Sequence, residues 1–249
     1  MDNLWEKDLY INDNIMYLFN TEIFEYDMKD AGFSLSKEFN LLDKDILDSL
    51  EDKDKEYRTK KLGIYQRDNK EYANSLKEAF RTARKLFFID NELEKSDIIS
   101  VKKDAIFTSK RCKKQQIGKY INFRPKNTYT SYIYFGKKLE VYYGYDKFDV
   151  KGISDTNKEL HEKYMIDFIS SFIHKMESEQ SSSILGFLKR FIDSYKWREL
   201  EIGYYRPFNE KSLFELYDGT EVSSYDEVMD LNINYNFYNI LLQLIKIPL

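Results

Sequence analysis

The order of textures along this chain predicts an α+β fold: an antiparallel sheet with packed helices, followed by a mainly helical region. Three observations carry that expectation. Residues 22–34, EIFEYDMKDAGFS, and 98–107, IISVKKDAIF, are apolar, aromatic or β-branched stretches of the kind that form strands. Between them, Tyr72, Leu76, Ala79, Phe80, Ala83 and Phe87 recur at three- and four-residue steps, which is a helical period. Past residue 158 the helical period returns.

Taken in order, residues 1–20 are aromatic and polar and predict no definite element. The strand carrying Asp27 follows, and Gly32 is expected to let the backbone turn. Ser36 is positioned to cap a helix running to Asp48, with Leu41, Leu42, Ile46, Leu47 and Leu50 as its apolar stripe. Residues 51–57, EDKDKEY, read as a solvated face or linker. Residues 69–88 form a helix, with Lys77, Arg81, Arg84 and Lys85 falling largely on its other faces. Strands follow at 98–107 and 119–123. Residues 129–135 and 139–143 form a hairpin across Gly136, Lys137 and Lys138. Leu160, Tyr164, Phe168, Ile169 and Phe172 mark one helix, and Ile184, Leu188, Phe191, Ile192 and Tyr195 a second. A third is expected at 227–249, and the three serines at 181–183 read as a cap or turn. The expected domains are 1–153, containing a short helical segment at about 51–90, and 154–249, with the boundary near residues 152–157.

Composition limits the chemistry. With 42% hydrophobic residues, a chain of 249 can bury one large core or two modest ones. A net charge of −4 advertises no general affinity for nucleic acid. Cys112 is the lone cysteine and His161 and His174 the only histidines, which argues against a disulfide framework, a thiolate metal cluster, a zinc site and a His-based triad. No stretch approaches the roughly 20 apolar residues of a membrane span. Residues 1–10 are too acidic and broken for a signal peptide, so a cytoplasmic, reducing location without a membrane partner is expected. No glycine-rich phosphate loop is present in the sequence.

The chemistry-bearing candidates are Asp27 and Asp104, each delivered by an apolar strand-like run. Two carboxylates on neighbouring strands can share divalent ions, and Mg²⁺ is content with one or two carboxylates plus waters. Around Asp104 the local charge is basic: Lys102, Lys103, Lys110, Arg111, Lys113, Lys114 and Lys119 have only Asp104 against them. With Arg124, Lys126, Tyr120, Phe123 and Tyr129 close by, that patch fits a surface tracking a phosphate backbone. It fits equally a solvated hairpin with scattered lysines.

These residues resemble motifs of the family B DNA polymerases. FEYDMKDAGF resembles the first palm motif, D-x-x-S-x-Y-P, with Asp27 at the metal-binding Asp. SVKKDAIF is similar to the third palm motif, Y-G-D-T-D-S, with Asp104 at its second Asp, Lys102 replacing the first Asp and Ala105 the Ser. KEYANS, residues 70–75, is similar to the fingers motif K-x-x-x-N-S-x-Y-G without its final Tyr-Gly. GKKLEVYYG and FDVKGI resemble the stretch leading into the thumb. All four stand in the family's order. The resemblance implies a palm-like sheet, very short fingers and a helical thumb, with Mg²⁺ or Mn²⁺ held by Asp27 and Asp104. It implies a triphosphate contacted by Lys70 or Arg67, with Asn74 packing over the nucleotide. Gly32 and Phe33 would stand where the family places a Tyr beneath the sugar. Lys137, Lys138 and Lys151 would face template or primer phosphates beside Lys102, Lys103, Lys113 and Lys114. The implied partners are a DNA primer–template, nucleoside triphosphates and a second polymerase chain. Three functions stay open: a nucleotidyl transferase acting at a primer 3′ end, a silent palm-derived DNA-binding subunit of a replication complex, and an interaction module whose basic residues are only solvated.

Overall fold

Burial along β3 (Ile23–Met28) shows how the sheet is built. Phe24, Tyr26 and Met28 enter the core, while Glu25 and Asp27 take the opposite face, as the period of two requires. The computed structural model describes residues 3–135, 138–144, 146–152, 155–178, 181–197, 199–201 and 204. Within them the fold is α+β, with nine strands in two sheets and six α-helices. The chain divides into two compact units, 1–12 with 22–128, and 13–21 with 129–249.

The first unit holds a five-stranded sheet. After β1 (Leu9–Ile11) and β3, its strands are β4 (Ile98–Lys102), β5 (Ala105–Thr108) and β6 (Phe123–Tyr129), in the order β1-β4-β5-β3-β6. One cross-strand row, Tyr10–Val101–Ile106–Tyr26, lies on the core face. The neighbouring row, Leu9–Lys102–Ala105–Asp27, lies on the other. Helices α1 (Ala31–Glu38), α2 (Lys44–Glu51), α3 (Lys55–Asp68) and α4 (Lys70–Asp90) complete the unit. The predicted α4 stripe is buried in full, and Phe87 packs 4.4 Å from Phe123 between ring centroids.

Several expectations need correction. Residues 98–107 are not one strand but the β4–β5 hairpin, with Lys103 and Asp104 as its two-residue tip. The turn after β3 is made at Asp30, whose φ is +49°, and Gly32 lies inside α1. Ser36 caps nothing. It is interior to α1, and its hydroxyl donates to the Gly32 carbonyl (2.7 Å). The helix expected from Ser36 to Asp48 is two helices, broken where Asn40 takes φ +50°. The strand expected at 119–123 begins at Phe123 and runs on through Pro125, which an edge strand tolerates. Helix α3 was invisible to periodicity because only Leu62 is buried along it. Arg84 does not fall on an outer face: it is fully buried in the α4 stripe.

The second unit pairs β2 (Tyr17–Leu18), β7 (Ser131–Tyr134), β8 (Glu140–Gly144) and β9 (Lys147–Lys151) in that order. The β7–β8 hairpin is present, although Gly136 and Lys137 lie outside the described residues. Helices α5 (Asp155–Glu177) and α6 (Ser181–Lys196) pack Phe168, Ile169, Phe172 and Leu188 with Ile133, Val141 and Val150. That shared core is why the division falls before the β7–β9 strands and not near residue 153. The helix expected at 227–249 lies outside the described residues.

Candidate functional site

The β4–β5 hairpin carries Asp104 at its tip, and the sheet order sets that tip beside the end of β3. Asp27 pairs across the ladder with Ala105, and the Met28 amide donates to the Asp104 carbonyl (3.0 Å). Both carboxylates line one cavity of about 350 Å³, within the range of small-ligand sites. Its other walls come from the β3–α1 corner (Met28, Asp30, Ala31, Gly32, Phe33), one face of α3 (Lys55, Thr59, Leu62, Gly63, Gln66), and Leu76 and Phe80 of α4 with Lys103.

Two interactions shape the walls. Arg58 of α3 binds Asp30 (Nε–Oδ2 2.7 Å) and lies over the Phe33 ring (5.0 Å), tying α3 to the β3–α1 corner. At the hairpin tip, Lys103 takes φ +54°, a left-handed conformation that costs a non-glycine residue roughly 1–2 kcal/mol. Its ammonium sits over the Phe80 ring (5.3 Å).

The electrostatics single out Asp104. Burial pushes its carboxyl above the ordinary range, and the nearby Asp27 carboxylate pushes in the same direction, against the pull of Lys103 and Lys126. Asp27 meets Arg124 at 3.5 Å, with the guanidinium about half exposed. Such a pair is worth ~0–1 kcal/mol and yields readily to a better partner. One residue pair back, the buried Glu25 accepts from Lys126 (3.0 Å) and Asn127 (2.6 Å).

The acid pair fits a hard divalent ion by its chemistry. It is an all-oxygen donor set, two carboxyl groups on the wall of one cavity and near enough for the Asp27 charge to act on Asp104. No group of three or more His, Cys, Asp or Glu with metal-binding geometry occurs among the described residues. A Mg²⁺ held here would complete its shell with water and substrate phosphate, as that ion commonly does.

The other candidates distribute unevenly. Gly32, Phe33 and Lys103 join the cavity wall. Lys70 and Asn74 are exposed on α4 away from it, and Arg67 is paired with its neighbour Asp68 (2.8 Å). Lys102 is half-buried in the Asp27 row. Lys113 and Lys114 are exposed beyond the far end of β5, so the basic stretch is two separate groups. Asn91 holds their loop by accepting from the Lys114 amide (2.9 Å) and donating to its carbonyl (2.7 Å). In the second unit Lys138 is exposed and Lys151 is paired with Asp149 (2.6 Å), while Lys137 lies outside the described residues. Lys55, Thr59 and Arg84 were missed by motif reading. A lysine at the first position of a helix opposite an acidic strand end was the available signal for Lys55.

No helix among the described residues is long and apolar enough to cross a membrane. No curated protein matches the chain. The family model described as Bacteriophage PBS1 gene 130 protein matches residues 1–249, and the chain belongs to that family.

Proposed function

We propose that this chain is a palm-like, metal-dependent nucleotidyl transferase that extends a nucleic-acid primer at its 3′ end. The observation that carries the reading is the convergence of Asp27 and Asp104 on one cavity that also presents Lys55 and Lys103. An antiparallel sheet whose hairpin tip and adjacent strand end each offer a carboxylate supports the palm comparison, and α5 with α6 supports a thumb-like role.

Asp27 and Asp104 would hold Mg²⁺ or Mn²⁺. When bound, such an ion supplies Lewis-acid stabilisation of charge on the transferring phosphate and a more acidic primer hydroxyl. The protein's own contribution is placement. Lys55 and Lys103 offer positive charge to the triphosphate, while the Thr59 hydroxyl beside them donates to the Lys55 carbonyl (2.9 Å). That role falls to them rather than to Lys70, Asn74 and Arg67, which lie off the cavity. Leu62, Leu76 and Phe80 give an apolar wall to the base, and Gly32 with Phe33 bounds the sugar.

A second reading is a DNA-binding subunit without catalysis, completed by a partner polymerase chain. The Asp27–Arg124 pair favours it, because the guanidinium already neutralises one of the two acids. Primer extension with Mg²⁺ or Mn²⁺, using deoxy- and ribonucleotides, separates the two. Under the first reading wild type extends the primer, and Asp27→Asn and Asp104→Asn each abolish extension. Salt-sensitive primer–template binding with no incorporation selects the second.

A further inference from the structure

Among the described residues of the first unit, the most buried charged side chain is on neither strand of the acid pair. Arg84, in the middle of α4, is fully buried. Its Nε donates to the Trp5 carbonyl (2.8 Å), Nη1 to the Lys103 carbonyl (2.7 Å) and Nη2 to the Asp8 carboxylate (3.0 Å). Three acceptors from two segments, the N-terminal stretch and the β4–β5 tip, therefore meet on one guanidinium, whose fork has fixed geometry. The Lys103 amide donates in turn to the Asp8 carbonyl (2.7 Å), so the tip is held on its N–H and its C=O together. A non-glycine residue persists at φ +54° only where surrounding contacts over-determine it, and these two bonds are such contacts. Lys103 immediately precedes Asp104.

We infer that Arg84 is the positioning residue of this site: together with Asp8 it locks the two-residue tip, and so holds Asp104 beside Asp27 on the wall of one cavity. Arg84 touches neither acid by hydrogen bond and acts through the Lys103 backbone. The inference rests on reading Asp27 and Asp104 as ligands of a divalent cation.

The test uses the full chain and Mn²⁺, with binding followed by electron paramagnetic resonance, folding by thermal melting, and primer–template affinity by fluorescence anisotropy. The variants are Arg84→Lys, Arg84→Gln, Asp8→Ala and the reference Asp104→Asn. Loss of a group that orients a metal ligand weakens binding by about 10–100-fold, and that loss is expected for both folded Arg84 variants. Primer–template affinity should stay within about twofold, since phosphate contacts elsewhere govern it. Lysine should not rescue, because one ammonium cannot span the three acceptors. Folded Arg84 variants that bind Mn²⁺ like wild type, while Asp104→Asn does not, overturn the positioning role and leave the metal reading intact. Equal binding by wild type and Asp104→Asn overturns both. Where neither Arg84 variant folds, Asp8→Ala decides, because Asp8 is half-exposed. It should bind Mn²⁺ at least about threefold more weakly, which is about 0.7 kcal/mol at about 1.4 kcal/mol per tenfold, and unchanged binding rejects the clamp.

Discussion

Asp27 stands opposite Ala105 in the β3–β5 ladder, which sets its carboxylate beside that of Asp104 on the cavity wall. The arrangement has a cost in the metal-free chain. Burial and Asp27 hold the Asp104 proton to a higher pH in the folded state than in the unfolded one. Folding therefore takes up a proton between the two pKa values. The favourable contribution is complete below the unfolded carboxyl range, about pH 4, and is lost as pH rises through the raised folded value.

Asp104→Asn should accordingly stabilise the metal-free protein at pH 7. Partial exposure of the side chain holds the gain to the order of 1 kcal/mol, or about 2–4 °C in melting temperature. The gain should shrink toward pH 4, and Mg²⁺ should raise the melting temperature of wild type but not of the variant. Melting curves at the two pH values check this; a gain larger at pH 4 than at pH 7 would contradict the sign.

One residue back along β3, the buried Tyr26 hydroxyl accepts from the Cys112 amide (2.7 Å) and donates to its carbonyl (3.4 Å). Tyr26→Phe strands that amide, at a cost of about 1–3 kcal/mol. Burial also pushes the Cys112 thiol up to about 12, so the native chain should resist thiol reagents near neutral pH. Ellman-type labelling should follow opening of the fold and run faster in Tyr26→Phe. Rapid labelling of folded wild type would contradict the buried, protonated thiol.

Gly152, just past β9, has φ +92°, and a Cβ there would lie 1.9 Å from the Lys138 carbonyl oxygen. The obstacle is backbone, which cannot swing aside as a side chain can. Gly152→Ala should destabilise the protein by at least about 2 kcal/mol, read as a lowered denaturation midpoint. A change below about 0.5 kcal/mol would mean that the close approach is absent.

Elements that bury a regular stripe were legible in the sequence. Helix α4 was readable from Tyr72 to Phe87, as were the cores of α5 and α6. Helix α3 was not, because its cavity-facing residues Lys55, Thr59, Gly63 and Gln66 are polar or small. The acid pair could be picked out because an Asp amid apolar strand residues is conspicuous. The tip that carries Asp104 was hidden, since tight hairpin turns usually announce themselves with Gly or Asn and this one is Lys-Asp. Its conformation is imposed from outside by Arg84 and Asp8, 19 and 95 positions from Lys103 by the spacing of 84, 8 and 103 along the chain. A periodicity reading assigns an arginine to a helix surface and cannot foresee three acceptors gathered by tertiary structure.

The separation of the basic residues into two groups gives the last expectation. Lys113 and Lys114 extend from a loop pinned by Asn91 and lie off the cavity, whereas Lys103 lines it. If the loop tracks a phosphate backbone, each lysine releases about one counterion, so Lys113→Ala with Lys114→Ala should flatten the log K against log[salt] slope for primer–template by about 2. Nucleotide affinity should not change. Lys103→Ala should act in the opposite sense, weakening nucleotide binding with little effect on that slope. Anisotropy titrations at several salt concentrations make the comparison. An unchanged slope in the double variant would assign the loop lysines to solvent and leave any phosphate tracking to other residues.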